Sequence, residues 1–250
     1  MAETPRAAMR VLRVTGAVEY MRAWEVQQRL AQLLAAAASA GQRPVHSVIL
    51  LQHSPVYTVG LRSAAYSKEE EARLRSTGAQ FVRSNRGGLI TFHGPGQLTV
   101  YPILHLPHMQ RSIKWYVCAL ERTVIRTCRT FGISAFTTPD TGVWVSDSAK
   151  ICALGIHGRR VTTHGLALNC NTDLTWFTKI VPCGLTGKTV TSMSHELGRD
   201  VTVNEVETPF LRAFSEVFEC NFVEEKTYTA QQFEKLADEC DINNQEDGSQ

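Results

Sequence analysis

The chain has 250 residues, 43% of them hydrophobic and 20% charged, with 26 basic against 24 acidic side chains and a formal net charge of +2. This fits one globular domain: no apolar run approaches the roughly 20 residues of a membrane span, and the balanced charge leaves no global field for nucleic acid. Seven cysteines, an odd number spread from Cys118 to Cys240 without a Cys-x-x-Cys pair, make no disulfide framework.

Arg6, Arg10 and Arg13 stand against a single acid, Glu3, at the N-terminus. Residues 1–9 therefore read either as part of a basic targeting leader or as a frayed end before a first strand at 11–14. Residues 17–40 carry apolar positions at helical spacing and are closed by Gly41 and Pro44, which predicts a helix. Residues 45–51 read as a buried strand, and Pro55 separates them from a second short strand at 56–60. Ser67-Lys68-Glu69-Glu70 is a capping box that opens a helix running to about Thr77. Strands are expected at 81–82, 89–93 and 98–106, joined by glycine-rich turns.

Ser112 opens the next helix, whose apolar face is Ile113, Tyr116, Val117, Leu120, Val124 and Phe131. Residues 142–145, 151–156 and 161–169 then read as strands, the last two a hairpin turned at Gly158. Thr202-Val203-Asn204-Glu205 is a second capping box, and its helix continues through Phe218. Beyond about Glu224 the chain is polar, which predicts a catalytic domain over 10–223 and a largely disordered tail over 224–250. A short helix at 231–236 is allowed within that tail, and 241–250 is expected to be disordered. Strands in short runs with helices between them give an α/β (α+β) class, a mixed sheet packed with helices.

Four segments carry chemistry. Arg86-Gly87-Gly88-Leu89-Ile90-Thr91-Phe92-His93 runs into Gly94-Pro95-Gly96-Gln97, and its glycines let a ligand lie against backbone whose amides are expected to be free to donate. Lys150 lies between a polar turn and the apolar run Ile151-Cys152-Ala153-Leu154-Gly155, where burial would loosen an ammonium proton; a lysine at a turn is otherwise simply solvated. Thr163-His164-Gly165-Leu166-Ala167-Leu168-Asn169 is a strand with a central glycine, and His164 on its own reads as a core histidine. Val181-Pro182-Cys183-Gly184 sets a thiol between a fixed and a permissive residue ahead of an expected helix, although local context alone favours an inert buried cysteine. No metal site is read: Pro107 separates His105 from His108, and His195-Glu196 lacks a second histidine.

In this order and spacing the four segments resemble the octanoyltransferases of lipoate biosynthesis over nearly all of residues 10–220, closest to the animal mitochondrial form. The resemblance implies the fold of biotin and lipoate protein ligases, with a tunnel for an acyl chain. It implies Cys183 as the acyl-accepting nucleophile and Lys150 as its proton partner. It also implies substrate walls formed by Arg86 to His93, by Ala153, Leu154 and Gly155, and by Gly165, Leu166 and Ala167. Octanoyl-acyl carrier protein would be the donor. Lipoyl domains, such as glycine cleavage H protein and the 2-oxoacid dehydrogenase acyltransferase subunits, would be acceptors in the mitochondrial matrix. No metal, nucleotide or other cofactor, nucleic acid or membrane enters that chemistry. An ATP-dependent lipoate or biotin ligase of the same fold is the alternative, distinguished by having no use for a cysteine at that turn.

Overall fold

A computed structural model describes residues 6–238. In chain order the elements are β1 (Ala7–Val18), α1 (Tyr20–Ser39), β2 (His46–His53), β3 (Val56–Val59), α2 (Lys68–Arg75), β4 (Gln80–Arg83), β5 (Thr91–His93) and β6 (Gln97–Ile103). They continue with α3 (Ile113–Thr130), β7 (Val143–Trp144), β8 (Ala149–His157), β9 (Thr163–Asn169), β10 (Thr189–Val190), α4 (Met193–Leu197), α5 (Val203–Phe218), β11 (Cys220–Thr229) and α6 (Ala230–Lys235). The main sheet has the order β10-β8-β9-β6-β2-β1-β11, with β7 paired to β8, and a second sheet has the order β4-β3-β5. Parallel pairs (β1 with β2 and β11, β8 with β10) flank an antiparallel middle, the mixed sheet expected.

The helices start where their caps dictate. Ser67 and Ser112 accept the N–H groups of Glu70 and Trp115, and Thr202 and Glu205 cap each other reciprocally. α3 and α5 bury Tyr116, Leu120, Val124, Phe210 and Phe214 against one face of the main sheet, while α1 and α6 bury Val26, Leu30, Leu34 and Phe233 against the other. The small sheet has its own core of Tyr57, Phe81, Phe92 and Phe177.

The ends of the chain differ from expectation. β1 begins at Ala7, so part of the 1–9 segment is sheet. The polar stretch beyond Glu224 is not a tail at its start: β11 runs to Thr229, parallel to β1, and α6 follows. It reads as polar because it is an edge strand with one face in water. Its acids meet the N-terminal arginines, Arg10 to Glu224 at 3.0 Å and Arg13 to Glu225 at 3.2 Å, with Glu207 of α5 also on Arg13 at 2.8 Å. Arg10 and Arg13, which read as leader charge, therefore have structural partners. The disorder expected at 241–250 lies outside the described residues.

Candidate active site

The β8–β9 hairpin brings two of the expected walls together: Ala153 faces Ala167, Leu154 faces Leu166 and Gly155 faces Gly165. The loop Arg86 to Leu89 docks on this hairpin through Gly87 N–H, which donates to Ile156 O at 2.9 Å. That amide is therefore engaged, not free for a ligand as the sequence suggested. The contact needs glycine at 155, where a Cβ would stand 3.0 Å from both Gly87 O and Arg86 Cδ. Arg86 is buried and donates to Thr58 O, Thr58 Oγ1, Gly87 O and Leu89 O at 2.6–3.1 Å. All four acceptors are neutral. The guanidinium thus folds the loop, and burial pulls its pKa down.

Strand alternation divides the rest of this segment. Thr91 and His93 face the cavity beside the hairpin. Ile90 and Phe92, expected in the same wall, point the other way into the core of the small sheet, where Phe92 stacks on Trp176 at 4.9 Å. His93 is held by Gln97 Oε1 at 2.8 Å, Gln97 donates to Asn169 Oδ1 at 2.9 Å, and Asn169 donates to Thr191 O at 2.9 Å. This chain ties three strands to the segment that follows Cys183.

Cys183 sits on a 3-10 turn, Pro182–Gly184, followed by the short strand β10 and not directly by the expected helix. Its backbone is left-handed (φ 55, ψ 14), as is that of Gly184 (φ 68). Such a conformation is rare for a residue with a side chain and persists only where the surroundings hold it. Here Cys183 N–H donates to Ile90 O at 2.8 Å, and Gly184 lies so close to Leu89 that a Cβ would stand 2.4 Å from Leu89 Cδ1. Cys128, Cys152, Cys170 and Cys220 are buried and their thiols are pushed up by desolvation, whereas Cys183 is half-buried.

Three adjoining cavities share Cys183. One also holds Lys150, Trp144, Gln97, Asn169 and Lys188. A second runs between Leu89, the hairpin walls and a group of buried polar residues. The third, an open cleft of about 960 Å³, reaches solvent past Arg62 and Asp140 and is lined by Lys150 as well. Lys150 is 6% exposed, donates from Nζ to Thr141 O at 2.9 Å and lies 4.6 Å from the Trp144 ring centroid. Two of these cavities thus hold the cysteine and the lysine together.

A family model described as the lipoyl protein ligase A/B catalytic domain matches residues 19–215. The chain belongs to that family. Among lipoyl protein ligase A/B relatives, a Danio rerio protein named octanoyl-[acyl-carrier-protein]:protein N-octanoyltransferase, mitochondrial, is 54% identical over 86% of this chain and 94% of its own. The Homo sapiens protein of the same name is 46% identical over 87% of this chain and 96% of its own. An octanoyltransferase of Rubrobacter xylanophilus is 43% identical over 86% and 96%. A solved lipoate protein ligase from Thermoplasma acidophilum, 18% identical, superposes with a TM-score of 0.67 over 93% of this chain and 91% of that one, which shows the fold alone.

Several residues of this family member's site were not singled out from sequence. Trp144 comes from a two-residue strand, too short to show a period. Tyr20, Thr99, Tyr101 and His164 line the second cavity from α1, β6 and β9, and His164, read as a core histidine, is the one of these with a sequence signal: it precedes Gly165. Glu121 of α3 accepts Gly142 N–H at 3.1 Å beside Lys150. Burial raises its pKa, opposed by the Gly142 N–H and by the charge of Lys150.

Proposed function

We propose that the chain moves an octanoyl group from acyl carrier protein to a lysine of a lipoyl domain, through a thioester on Cys183. The observation that carries this is the strained turn holding Cys183 where three cavities meet, with Lys150 in two of them. The Cys183 thiolate attacks the carrier thioester, a new carbon–sulfur bond forms as the carrier's carbon–sulfur bond breaks, and the carrier thiol leaves with a proton from Lys150 Nζ. The acceptor's amine then attacks the Cys183 thioester. An amide forms, Lys150 takes the amine's proton, and the Cys183 sulfur is released, two half-reactions of ping-pong type.

The cavities divide the labour. The hairpin-walled cavity takes the acyl chain, where burying seven carbons contributes about 5–6 kcal/mol. The open cleft admits in turn the carrier's thioester arm and the acceptor lysine. Trp144 and Thr141 O hold the Lys150 ammonium in place. The donor named for the animal relatives is octanoyl-acyl carrier protein, and those relatives are named mitochondrial. We extend both to this chain, placing the reaction in the matrix. Lipoyl domains such as the H protein and the 2-oxoacid dehydrogenase acyltransferase subunits serve as acceptors.

The test mixes the protein with octanoyl carrier protein in the absence of ATP and maps acylation by mass spectrometry. A hydroxylamine-labile octanoyl adduct on Cys183 is expected, absent in Cys183→Ser, with loading by Lys150→Ala slowed about 10²–10⁴-fold. No adduct without ATP, or full transfer by Cys183→Ser, overturns the relay.

A further inference from the structure

The cavity assigned to the acyl chain changes character along its length. Its outer part is apolar and half-buried, at Leu89, Leu154 and Gly155 beside Cys183. Its inner part is polar and shut away from solvent: Tyr20, Thr99 and His164 are each 1% exposed. Thr99 Oγ1 and His164 Nδ1 make no hydrogen bond within the protein, and the polar neighbour of Tyr20 Oη is the Ser84 side chain. Buried polar atoms are ordinarily paired, so two unpaired ones lining one cavity beside the Tyr20 hydroxyl point to something that enters it.

The chemistry of that occupant follows from the atoms. His164 Nε2 faces Asn85 Oδ1 at 2.7 Å, and an amide oxygen only accepts, so Nε2 carries the ring proton and Nδ1 offers a lone pair. Burial holds this imidazole neutral, with a pKa lowered to about 3. Its backbone is left-handed (φ 56), and its ring lies 5.8 Å from Trp24 and 6.2 Å from Tyr101, so it is fixed in place. Tyr20 is likewise packed on His53 and His93 at 5.1 and 6.0 Å. Two hydroxyls and one acceptor nitrogen together suit a hydroxyl group, which both donates and accepts.

Resting on the assignment of this cavity to the acyl chain, we infer that Tyr20, Thr99 and His164 form a polar stop that selects acyl groups by what reaches it. A chain ending short of the stop, or ending there in a hydroxyl, is accepted. A methyl pushed against the stop leaves buried donors and acceptors without partners. An apolar wall discriminates weakly between chains one methylene apart, whereas a site built for hydrogen bonds strongly rejects an analogue lacking them.

Two carrier-bound groups of nearly equal size separate a polar stop from a steric one: nonanoyl, ending in a methyl, and 8-hydroxyoctanoyl, ending in a hydroxyl. Loading rates onto Cys183 are measured for both, with octanoyl alongside. The full-length protein is expected to load 8-hydroxyoctanoyl at least about tenfold faster than nonanoyl. Tyr20→Phe and Thr99→Val should each lower that ratio, and the double variant should bring it to one or below. The ratio within each variant is the readout, so a general loss of activity does not obscure it. Equal or faster loading of nonanoyl by the unaltered protein overturns the polar stop, as does a ratio unmoved by both substitutions. Failure to load even octanoyl would instead overturn the thioester reading and this inference with it.

Discussion

Lys150 owes its position in part to a residue that lines none of the three cavities. Its Nζ is anchored on Thr141 O, and the neighbouring Gly142 N–H is anchored on the Glu121 carboxylate, so α3 holds the loop that holds the lysine. Catalysis by two groups in fixed geometry is sensitive to displacements of about 1 Å, worth about 10²-fold. Glu121→Ala is therefore expected to slow thioester formation by about tenfold to a hundredfold, measured in a single turnover. Glu121→Gln should recover most of the rate, because its amide oxygen still accepts the Gly142 N–H; equal loss in both would make charge the decisive property. None of this was legible in the sequence. Glu121 lies between Leu120 and Arg122 in an amphipathic pattern that reads as surface, and its partner is 21 residues away. The role proposed for Cys183 rests in the sequence only on the ordered set of motifs around it, because the left-handed backbone that presents it has no signature beyond Pro182 and Gly184.

At the scale of elements, the caps were the readable signals: Ser67, Ser112 and Thr202 each mark a helix where the sequence placed it. The same signal stands at Thr229, whose side chain and that of Gln232 cap each other, and it marks α6 where the sequence allowed a short helix at 231–236. β11 escaped notice because its stability comes from pairing with β1 at the opposite end of the chain, a contact that local periodicity does not encode. Phe92 was misplaced for a simpler reason: a motif names neighbours in sequence, and strand period sends alternate neighbours to opposite faces. If β11 and α6 belong to the folding unit, Phe233 is a core residue. It is fully buried with Leu236 against Leu12, Val14 and α1. Phe233→Ala is expected to cost about 3–5 kcal/mol, read as a lowered urea midpoint with unchanged slope. A variant as stable as its parent would return the segment to the status of a tail.

For the whole molecule, the acid limb of stability follows from buried histidines. Burial lowers the pKa of His46 and His53 to about 4 and that of His164 to about 3, with neighbouring cations and histidines adding to the effect at His46 and His164. Each is fixed by neutral-form bonds: His53 bridges Val18 O at 3.1 Å and Tyr101 Oη at 2.7 Å, and His46 Nδ1 accepts the His105 N–H at 3.2 Å. The unfolded chain takes up these protons near pH 6.5, while the folded chain refuses them until the depressed values. Their contribution is therefore complete above about pH 6.5, declines as pH falls, and is exhausted once the folded values are passed. At pH 5.5 each histidine accounts for roughly 1.4 kcal/mol, so the three together remove roughly 4 kcal/mol relative to pH 7.5, a large part of a domain's usual stability. Urea titrations at half-unit steps from pH 5 to 8 should show this slope, and His53→Gln, whose amide can both donate to Val18 O and accept from Tyr101, should flatten it by about one proton. A stability flat from pH 7.5 to 5.5 would contradict the buried neutral state of these rings. His53 packs on Tyr20 and Tyr101, and His164 lines the cavity proposed for the acyl chain; both rings stay neutral in the folded chain down to their depressed values, so between pH 7.5 and 5.5 protonation acts through the unfolded chain and leaves that cavity wall intact. Loss of Cys183 loading in urea is accordingly expected to move to lower urea as pH falls over the same interval, in step with the unfolding midpoint rather than with a separate midpoint of its own.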